Sequence, residues 1–408
     1  MNHWAIYLDN NSNKKDFIKD FQHGKIPVAL QDFEHKSGSL FSPFTLEKLI
    51  DEEDKHDIKI ISNEHQSLKT MSSGEQKRAL LRYLLDESPD YIILDNPFDN
   101  LDIAFQEDLK TILEDYSKNI SFIQFVSRKD DTLSFITDYG KITENTFSVI
   151  VDSSPNKTEI PDSFNTVLIP NSNIPFSDSE NTLIDFKDVS ISYGDKKILN
   201  KINWTVNKGD FWQLSGVNGS GKSTILSMIF GDNPKAYGQD IFLFGNKKGS
   251  GESVWDIKKK IGYYAPAMID KFSGRHSIEH MLISGLTDSV GLYTIPTEFQ
   301  QRIIKQWLTV LDLIDFKNTY FNVLSTGKQR LVMTARAMVK RPPLLILDEP
   351  TTGMDDKSAS LLVALINKFA DETDTAIIFV SHRKEKGLKP KQTLELIPSK
   401  KGSLGVID

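Results

Sequence analysis

The 408-residue sequence predicts an α/β fold made of two related units, each with a mostly parallel sheet at its core. The first observation is the glycine-rich stretch SGVNGSGKST from Ser215, which lies between a strand-like run, GDFWQL, and a helix-like run, ILSMIFG. A phosphate-binding loop needs this strand–loop–helix context. The second observation is a pair of nearly continuous apolar runs, YIILD and LLILD, as expected for buried parallel strands. The third is a series of short motifs that occurs twice in the same order.

The spacing between these motifs indicates an internal repeat. The second half contains VLSTGKQR, LLILDEP and IIFVSHR, and the first half contains TMSSGEQKR, YIILDNP and FIQFVSR. Ser325 precedes Asp348 by 23 residues, and Ser72 precedes Asp95 by the same interval. The next intervals are 34 residues in the second half and 33 in the first. Two independent intervals that agree this closely predict one shared fold for the two halves.

The elements around the second phosphate loop are also predicted by their patterns. The runs LIDFKDVSISYG and KINWTVNKGD alternate apolar and polar residues, which predicts antiparallel strands ahead of the loop. The run PTEFQQRIIKQWLTVLDLIDF has apolar residues at three- and four-residue spacing, which predicts a helix. Residues 151–182 are rich in Pro, Ser and Asn and are interpreted as a linker that is partly extended.

The same alignment finds an eroded phosphate loop at the N-terminus. The stretch HWAIYLDNNSNKKDFI from His3 aligns without gaps on FWQLSGVNGSGKSTIL from Phe211, so that Lys14 matches Lys222. The loop glycines and the hydroxyl are lost: Gly216, Gly219, Gly221 and Ser223 correspond to Leu8, Asn11, Asn13 and Lys15.

These losses predict that the first loop supports no productive ATP hydrolysis. Leu8 cannot adopt a positive φ cheaply, although Asn tolerates it better, so part of the turn is expected to survive. Lys15 places an ammonium where a hydroxyl should bind Mg²⁺. Asn96 stands in the place of Glu349, and Arg128 in that of His382.

Composition and charge exclude several classes of protein. The net charge is −7, and residues 1–150 hold 17 basic and 27 acidic residues, a net of −10, so no nucleic-acid partner is expected. There are no cysteines, hence no disulfides, thiolate metal sites or cysteine nucleophiles. No apolar run approaches the roughly 18–20 residues that span a bilayer, and the N-terminus lacks a secretory pattern. A cytoplasmic location is expected, with peripheral attachment at the inner face of the cell membrane if a membrane partner exists.

The motifs resemble those of ATP-binding cassette (ABC) ATPases, and the resemblance covers nearly the whole chain as two cassettes. The stretch KGSGESVWDIKKKIGYY from Lys248, followed by ISGLTDSVGLY and LILDEPTTGMD, is similar to the ModF/PhrA group, tandem cassettes labelled as molybdate-transport or photorepair proteins. The resemblance implies two P-loop cassettes with parallel sheet cores and helical subdomains. Residues 1–150 would form a truncated, degenerate cassette, 151–182 the linker, and 183–408 a complete cassette with an antiparallel β-subdomain.

The resemblance also implies ATP and Mg²⁺ as cofactors and assigns residues to them. The catalytic group consists of Lys222, Asp348, Glu349 as general base and His382 at the γ-phosphate, with Ser223 and Asp348 binding the metal. Tyr193 would stack on adenine, and the loop residues that bind phosphate would be Gly216, Asn218, Gly219, Ser220, Gly221, Ser223 and Thr224. Cassettes of this family pack head to tail, so the γ-phosphate would be capped by the first-half signature loop, Ser72, Ser73, Gly74, Glu75 and Gln76.

Two functions follow from the resemblance. One is an ATP-binding subunit of a transporter with a membrane permease as partner, and the other is a regulatory or repair-associated ATPase with no membrane partner. Pro266 stands where the family has the glutamine of its glutamine loop, which argues against ordinary coupling to a permease. A ribosome-acting tandem cassette would need two competent sites and a longer charged linker, and the sequence has neither.

Overall fold

The computed structural model describes residues 1–10, 12–56, 61, 67–99, 101–150, 160–172, 180–272 and 274–408. The chain divides into two compact units, Met1–Lys157 with Gly353–Asp356, and Thr158–Thr352 with Lys357–Asp408. None of the helices in the described part of the chain has both the length and the apolar character needed to cross a bilayer.

The first unit is built on one six-stranded sheet. Its elements are β1 (Trp4–Leu8), α1 (Lys14–Gln22), β2 (Gly38–Phe41), α2 (Pro43–His56), α3 (Ser73–Asp86), β3 (Tyr91–Asp95), α4 (Ile103–Tyr116), β4 (Ser121–Val126), β5 (Asp138–Thr143) and β6 (Thr146–Ile150). The strand order is β2-β3-β4-β1-β5-β6, and among the described residues only the β5–β6 pair is antiparallel. The antiparallel subdomain that the resemblance places ahead of a phosphate loop is not found in the described part of this unit.

Apolar side chains cover both faces of this sheet. One core packs α3 and α4 against β3 and β4, and its largest members include Phe98 and Phe122. The other core packs α1 against the opposite face through Ile18 and Phe21. Trp4 is 7% exposed and belongs to this second core, so the tryptophan beside the first loop is a packing residue.

The second unit contains two sheets and a helical region. Its elements are α5 (Asp162–Thr166), β7 (Thr182–Tyr193), β8 (Lys196–Asn207), β9 (Phe211–Gly216), α6 (Lys222–Ile229), β10 (Asp240–Leu243), β11 (Asn246–Lys247), α7 (Val254–Lys259), β12 (Ile261–Tyr264), α8 (Ile278–Gly285), α9 (Glu298–Val310), α10 (Thr326–Met338), β13 (Leu344–Asp348), α11 (Asp356–Glu372), β14 (Ala376–Val380), β15 (Gln392–Ile397) and β16 (Leu404–Ile407).

The predicted elements of this unit are confirmed. Strands β7 and β8 are antiparallel and belong to a four-stranded sheet of order β11-β10-β7-β8. The main sheet has the order β12-β13-β14-β9-β15-β16, which is the same pattern as in the sheet of the first unit. Its first five strands in this order are parallel to one another. The predicted helix forms as α9, whose amphipathic face buries Ile304 and Trp307 completely. Parallel strands gather their carboxyl ends at one edge, which is where α/β proteins bind ligands.

The region interpreted as a linker is partly packed onto the second unit. Within it, residues 151–159 and 173–179 lie outside the described residues, whereas α5 packs on α9 and the Phe164 side chain is buried. The backbone N–H of Ile169 donates to the Glu372 carboxylate at 2.7 Å, and the Ser172 hydroxyl donates to the Lys340 carbonyl at 2.8 Å.

Candidate functional site

The phosphate loop of the second unit joins β9 to α6 and depends on two glycines. Gly216 has φ +142°, and a Cβ there would lie 2.7 Å from both the Leu396 carbonyl oxygen and the Ser220 Oγ. Gly221, the residue before α6, has φ +103°, and a Cβ there would lie 2.6 Å from the Leu199 side chain. Both positions therefore need glycine for backbone conformation and for space.

The loop presents a lysine ammonium and one unpartnered hydroxyl where a phosphate group would bind. The Lys222 ammonium donates to the carbonyl oxygens of Gly216 at 2.6 Å and Val217 at 3.2 Å, so it is folded over the loop. The buried Ser220 hydroxyl has no hydrogen-bond partner. Helix α6 begins at Lys222, so its first N–H groups and its positive dipole end point to the same place. A polyphosphate would satisfy these donors, so the residues fit a nucleotide.

Two carboxylates, Asp348 and Glu349, lie at the carboxyl end of β13. Asp348 is the last residue of the strand, and burial raises its pKa while Lys222 and a hydrogen bond from the Tyr263 hydroxyl oppose that rise. Burial together with the neighbouring Asp348 charge raises the pKa of Glu349 to about 7. Glu349 has φ +48°, and its backbone N–H donates to the Val380 carbonyl at 2.9 Å. A general base with a pKa near neutrality suits proton abstraction from water.

His382 connects the phosphate loop with Glu349. Its Nε2 lies 3.1 Å from Glu349 Oε1, and its Nδ1 lies 3.3 Å from both the Lys222 Nζ and the Gly216 carbonyl oxygen. The Thr352 hydroxyl donates to the other oxygen of Glu349 at 3.3 Å. The second unit therefore brings together all four residues predicted to be catalytic: Lys222, Asp348, Glu349 and His382.

The donor set predicted for Mg²⁺ is chemically suitable in this unit. Ser223 lies in the first turn of α6 with an exposed side chain, and Asp348 offers a carboxylate. Hydroxyl and carboxylate oxygens, completed by phosphate oxygens and water, are the ligands that Mg²⁺ prefers. Within the described residues, no group of three or more His, Asp or Glu side chains forms a separate metal site.

The raised pKa of Glu349 predicts a pH-dependent stability. Its carboxyl titrates near 4.5 when unfolded and at about 7 when folded, so the folded state holds the proton more tightly. The stabilisation is complete below about pH 4.5 and is lost as the pH rises through about 7, at an expected total cost of roughly 3 kcal/mol. Without nucleotide, the melting temperature of Glu349→Gln minus that of the wild type should increase between pH 5 and pH 8. A difference that is constant over this range would contradict the raised pKa.

The corresponding loop of the first unit is closed by its own side chains. The Lys14 ammonium pairs with the Asp95 carboxylate at 2.5 Å, so the residue that matches Lys222 is bound to the one that matches Asp348. Asn13 has φ −84° and caps α1 by accepting from the Asp16 N–H. The expectation that asparagine keeps the left-handed turn is therefore wrong at Asn13, because capping favours an ordinary φ; Asn11 lies outside the described residues. Lys15, in the place of Ser223, is exposed. These residues do not fit a magnesium–nucleotide complex.

Asn96 of the first unit has the same backbone conformation as Glu349 of the second, but its side chain is an amide instead of a carboxylate. Asn96 has φ +44°, and its N–H donates to the Phe125 carbonyl at 3.0 Å, as Glu349 does to Val380. The Asn96 side-chain oxygen accepts from the N–H and hydroxyl of Ser127, at 3.2 and 3.4 Å. An amide held in this way cannot act as a general base.

Each signature loop lies at the start of a helix in its own unit, but the two loops differ in their side-chain hydrogen bonds. Gln76 and Gln329 each donate to the carbonyl of the residue eight positions earlier, at 2.8 and 3.1 Å. Ser72 caps α3, and its N–H and hydroxyl donate to the Glu75 carboxylate at 2.8 and 2.7 Å, whereas Ser325 makes no side-chain cap on α10. Ser73 begins α3, and a Cβ at Gly74 would lie 2.7 Å from the Phe105 ring. The Ser72–Gln76 loop belongs to the first unit.

The remaining predicted residues lie around the phosphate helix. Asn218 and Gly219 are at the exposed tip of the loop, and the Thr224 carbonyl accepts from the Ser227 hydroxyl at 2.8 Å. Tyr193 ends β7 and is 46% exposed. The sequence did not indicate three residues that contact the predicted ones. Tyr263 contacts Asp348, Thr352 contacts Glu349, and Asn233 contacts Tyr193. Tyr263 could have been suspected from the polar tip that it brings into the apolar run IGYY.

Comparisons with known proteins find relatives among ABC transporter proteins. The family model described as ABC transporter matches residues 199–352. The chain is 34% identical over 331 residues to the ABC transporter ATP-binding protein ModF of Escherichia coli (strain K12), covering 78% of this chain and 67% of that protein. It is 31% identical over 327 residues to an uncharacterized ABC transporter ATP-binding protein of Schizosaccharomyces pombe, covering 78% of this chain and 66% of that protein.

One solved structure among the similar ones is cbiO1 from Clostridium perfringens, described as part of the ABC transporter complex cbiONQ. It is 21% identical, covers 56% of this chain and 88% of its own, and has a TM-score of 0.47. The present chain spans about two thirds of the length of the two relatives that it matches by sequence.

Proposed function

Because the chain belongs to the ABC transporter family of ATP-binding proteins, we propose that it binds and hydrolyses ATP at one competent site, in the second unit. The observation that carries this proposal is the contrast between the two lysines. Lys222 lies over a glycine loop that retains a free buried donor, Ser220, whereas Lys14 is neutralised by Asp95. Among the described residues of the two loops, those at Lys222 offer the positive charge that a triphosphate requires, whereas the Lys14 charge is already paired.

The residues of the second unit supply distinct parts of the reaction. Lys222 and the loop N–H groups bind the phosphates and oppose the charge that develops on the transferred phosphoryl group. Glu349 orients the attacking water and accepts its proton. His382 is in contact with both Glu349 and the loop, so it would position that base and face the γ-phosphate of bound ATP. Ser223 and Asp348 would hold Mg²⁺, which when bound neutralises the phosphate oxygens.

We further propose that the first unit completes this site with its signature loop. Ser72 and Glu75 form a capping box that fixes the loop at the start of α3, and both side chains are exposed. The first unit has retained this loop although its own phosphate site is closed. In head-to-tail pairing a signature loop serves the phosphate site of the opposite cassette, so closure of the first unit's own site would leave this loop with a use: it would cap the γ-phosphate held at Lys222.

The biological role is proposed at two levels. ModF carries the name of an ABC transporter ATP-binding protein, so a membrane permease is the first candidate partner, and the ATPase would then attach peripherally to the membrane. Pro266, in the position of the family's glutamine, favours the second candidate, an ATP-driven regulatory or repair-associated protein without a membrane partner. Capture of partners by the chain trapped with ATP separates the two, since only the first predicts an integral membrane protein.

The matched lysine substitutions test the proposal. Lys222→Ala should lower ATP turnover at least about 100-fold, because the phosphates lose their main cation in a site that depends on preorganised charge. Lys14→Ala, the equivalent change in the first unit, should leave turnover within about twofold. Turnover of ATP by the purified full chain measures both. A folded Lys14→Ala variant that loses its ATPase activity would contradict the assignment of the competent site to the second unit.

A further inference from the structure

We propose that Asn233 is a positioning residue for the nucleotide base, because it fixes the Tyr193 ring relative to the phosphate loop. This inference rests on the proposed function, in which Tyr193 stacks on adenine. The Asn233 Nδ2 donates to the Tyr193 hydroxyl at 2.9 Å. Asn233 is 5% exposed, and a polar side chain this well buried has its conformation determined by its hydrogen bonds.

A chain of hydrogen bonds connects this amide to the phosphate helix. The second hydrogen of Asn233 Nδ2 is donated to the Ser227 hydroxyl at 3.1 Å. The Ser227 hydroxyl in turn donates to the Thr224 carbonyl oxygen at 2.8 Å. Thr224 is the last residue of the motif SGVNGSGKST, so the chain runs from the phosphate loop to the aromatic ring. The distance between the phosphate end and the base end of a nucleotide site is thereby fixed.

Both ends of the Asn233 side chain are used, so its orientation is unambiguous. Its Oδ1 accepts from the Lys235 N–H at 3.0 Å and caps the short helical turn Pro234–Ala236. Its own N–H donates to the Ser227 carbonyl at 3.2 Å. An amide with its oxygen occupied by Lys235 must direct its NH₂ group toward Ser227 and Tyr193.

The position of Tyr193 suits a stacking platform that is held from one side. The residue ends β7 at a tight hairpin, opposite Lys196, and it is 46% exposed as a whole while its hydroxyl is hydrogen-bonded. An aromatic ring with an open face binds a planar base by stacking. Holding the hydroxyl restricts the ring before the base arrives, which lowers the entropy lost on binding.

The loop that carries Asn233 is supported by the motif KGSGESVWDIKK. Gly231 has φ +77°, and a Cβ there would lie 3.1 Å from the Lys248 Nζ and 3.3 Å from the Val254 side chain. The Lys248 side chain is fully buried and has the Glu252 carboxylate at 3.7 Å. Lys258 pairs with Asp232 at 2.6 Å. This segment therefore packs behind the Asn233 loop, which gives a role to a motif that the hydrolysis chemistry does not use.

The test compares a ligand that has a base with one that has none. The imido analogue of ATP and inorganic tripolyphosphate, each with Mg²⁺, are titrated calorimetrically into the full chain and into Tyr193→Phe, Asn233→Ala and the double variant. Tyr193→Phe keeps the ring and removes only the hydroxyl. Tyr293→Phe, at a tyrosine that is 82% exposed, is the matched control.

Each single variant should raise the Kd for the ATP analogue about five- to tenfold, the size expected for one lost hydrogen bond. The Kd for tripolyphosphate and both Kd values of the control should stay within about twofold of wild type. The Kd of the double variant for the analogue should not exceed the larger of the two single-variant Kd values, because the two groups form one contact.

Two results would overturn the inference alone: unchanged binding of the ATP analogue by Tyr193→Phe, or equal weakening of the analogue and tripolyphosphate in Asn233→Ala. Failure of the wild-type chain to bind either ligand would instead overturn the proposed function, and the inference with it.

Discussion

Glu349→Gln is expected to lower ATP turnover at least about 100-fold while ATP remains bound. General-base catalysis contributes a factor of this order, and an amide cannot accept the proton of the attacking water. The substitution preserves the size of the side chain and its contacts with His382 and Thr352, so the phosphate loop stays intact. It also removes a carboxyl whose pKa is raised by burial, so the folded state loses no favourable charge.

The measurement is phosphate release by the full chain, together with retention of radiolabelled ATP after gel filtration. Glu349→Gln should retain about one ATP per chain, because the first loop is closed by the Lys14–Asp95 pair. Asn96→Asp is the matched control in the first unit, since Asn96 has the same backbone conformation as Glu349, and its turnover should match the wild type. Continued hydrolysis by Glu349→Gln would show that another group serves as the base.

Short-range patterns predicted the second unit well. The glycine loop, the carboxylates after an apolar strand and the histidine after the next strand are each determined by residues that are adjacent in sequence. The structure brings them together because β9, β13 and β14 lie side by side and parallel. Motifs alone were therefore sufficient to select Lys222, Glu349 and His382 as candidates, although the distances between them could not be predicted.

Contacts that depend on register or on side-chain competition could not be predicted. Tyr263 reaches Asp348 because β12 pairs with β13, and no local pattern determines that pairing. Asn13 was expected to tolerate a left-handed turn, but its side chain forms a better cap on α1 with an ordinary φ. Lys14 could be identified as a relic of a phosphate-binding lysine, yet its pairing with Asp95 became visible only in the fold.

The linker shows the same limit. The proline, serine and asparagine content predicted a partly extended linker, and composition carries no information about what a segment packs on. Phe164 and Ile169 are buried on the second unit, and Glu372 fixes the backbone at Ile169. A few apolar residues within a polar stretch were sufficient to dock that part of the segment.

The two signature serines are expected to respond very differently to the same substitution. Ser72→Arg should lower ATP turnover at least about 50-fold, because a long cationic side chain would block the loop proposed to cap the γ-phosphate at Lys222, where preorganised contacts supply much of the catalysis. Ser325→Arg should reduce turnover by less than about threefold, because its partner would be the closed loop at Lys14.

Loss of the helix cap has to be separated from blocking of the site. Ser72 caps α3, so thermal unfolding of Ser72→Ala measures the stability lost with the helix cap, roughly 1 kcal/mol. The turnover of every variant is measured at a temperature where the chain stays folded, as judged by circular dichroism. Ser325 makes no side-chain cap, so its arginine variant needs no such correction.

The central claim is one competent site, completed by the signature loop of the first unit, and the ratio of turnover in Ser72→Arg to that in Ser325→Arg tests it most directly. Both variants and the wild type are assayed as full chains, at saturating Mg²⁺ and ATP and over a range of protein concentrations. The account predicts that Ser72→Arg is slower by more than about tenfold at every concentration. Equal activities, or a Ser325→Arg variant that is the slower of the two, would contradict it, since the second-unit signature loop would then be completing the site.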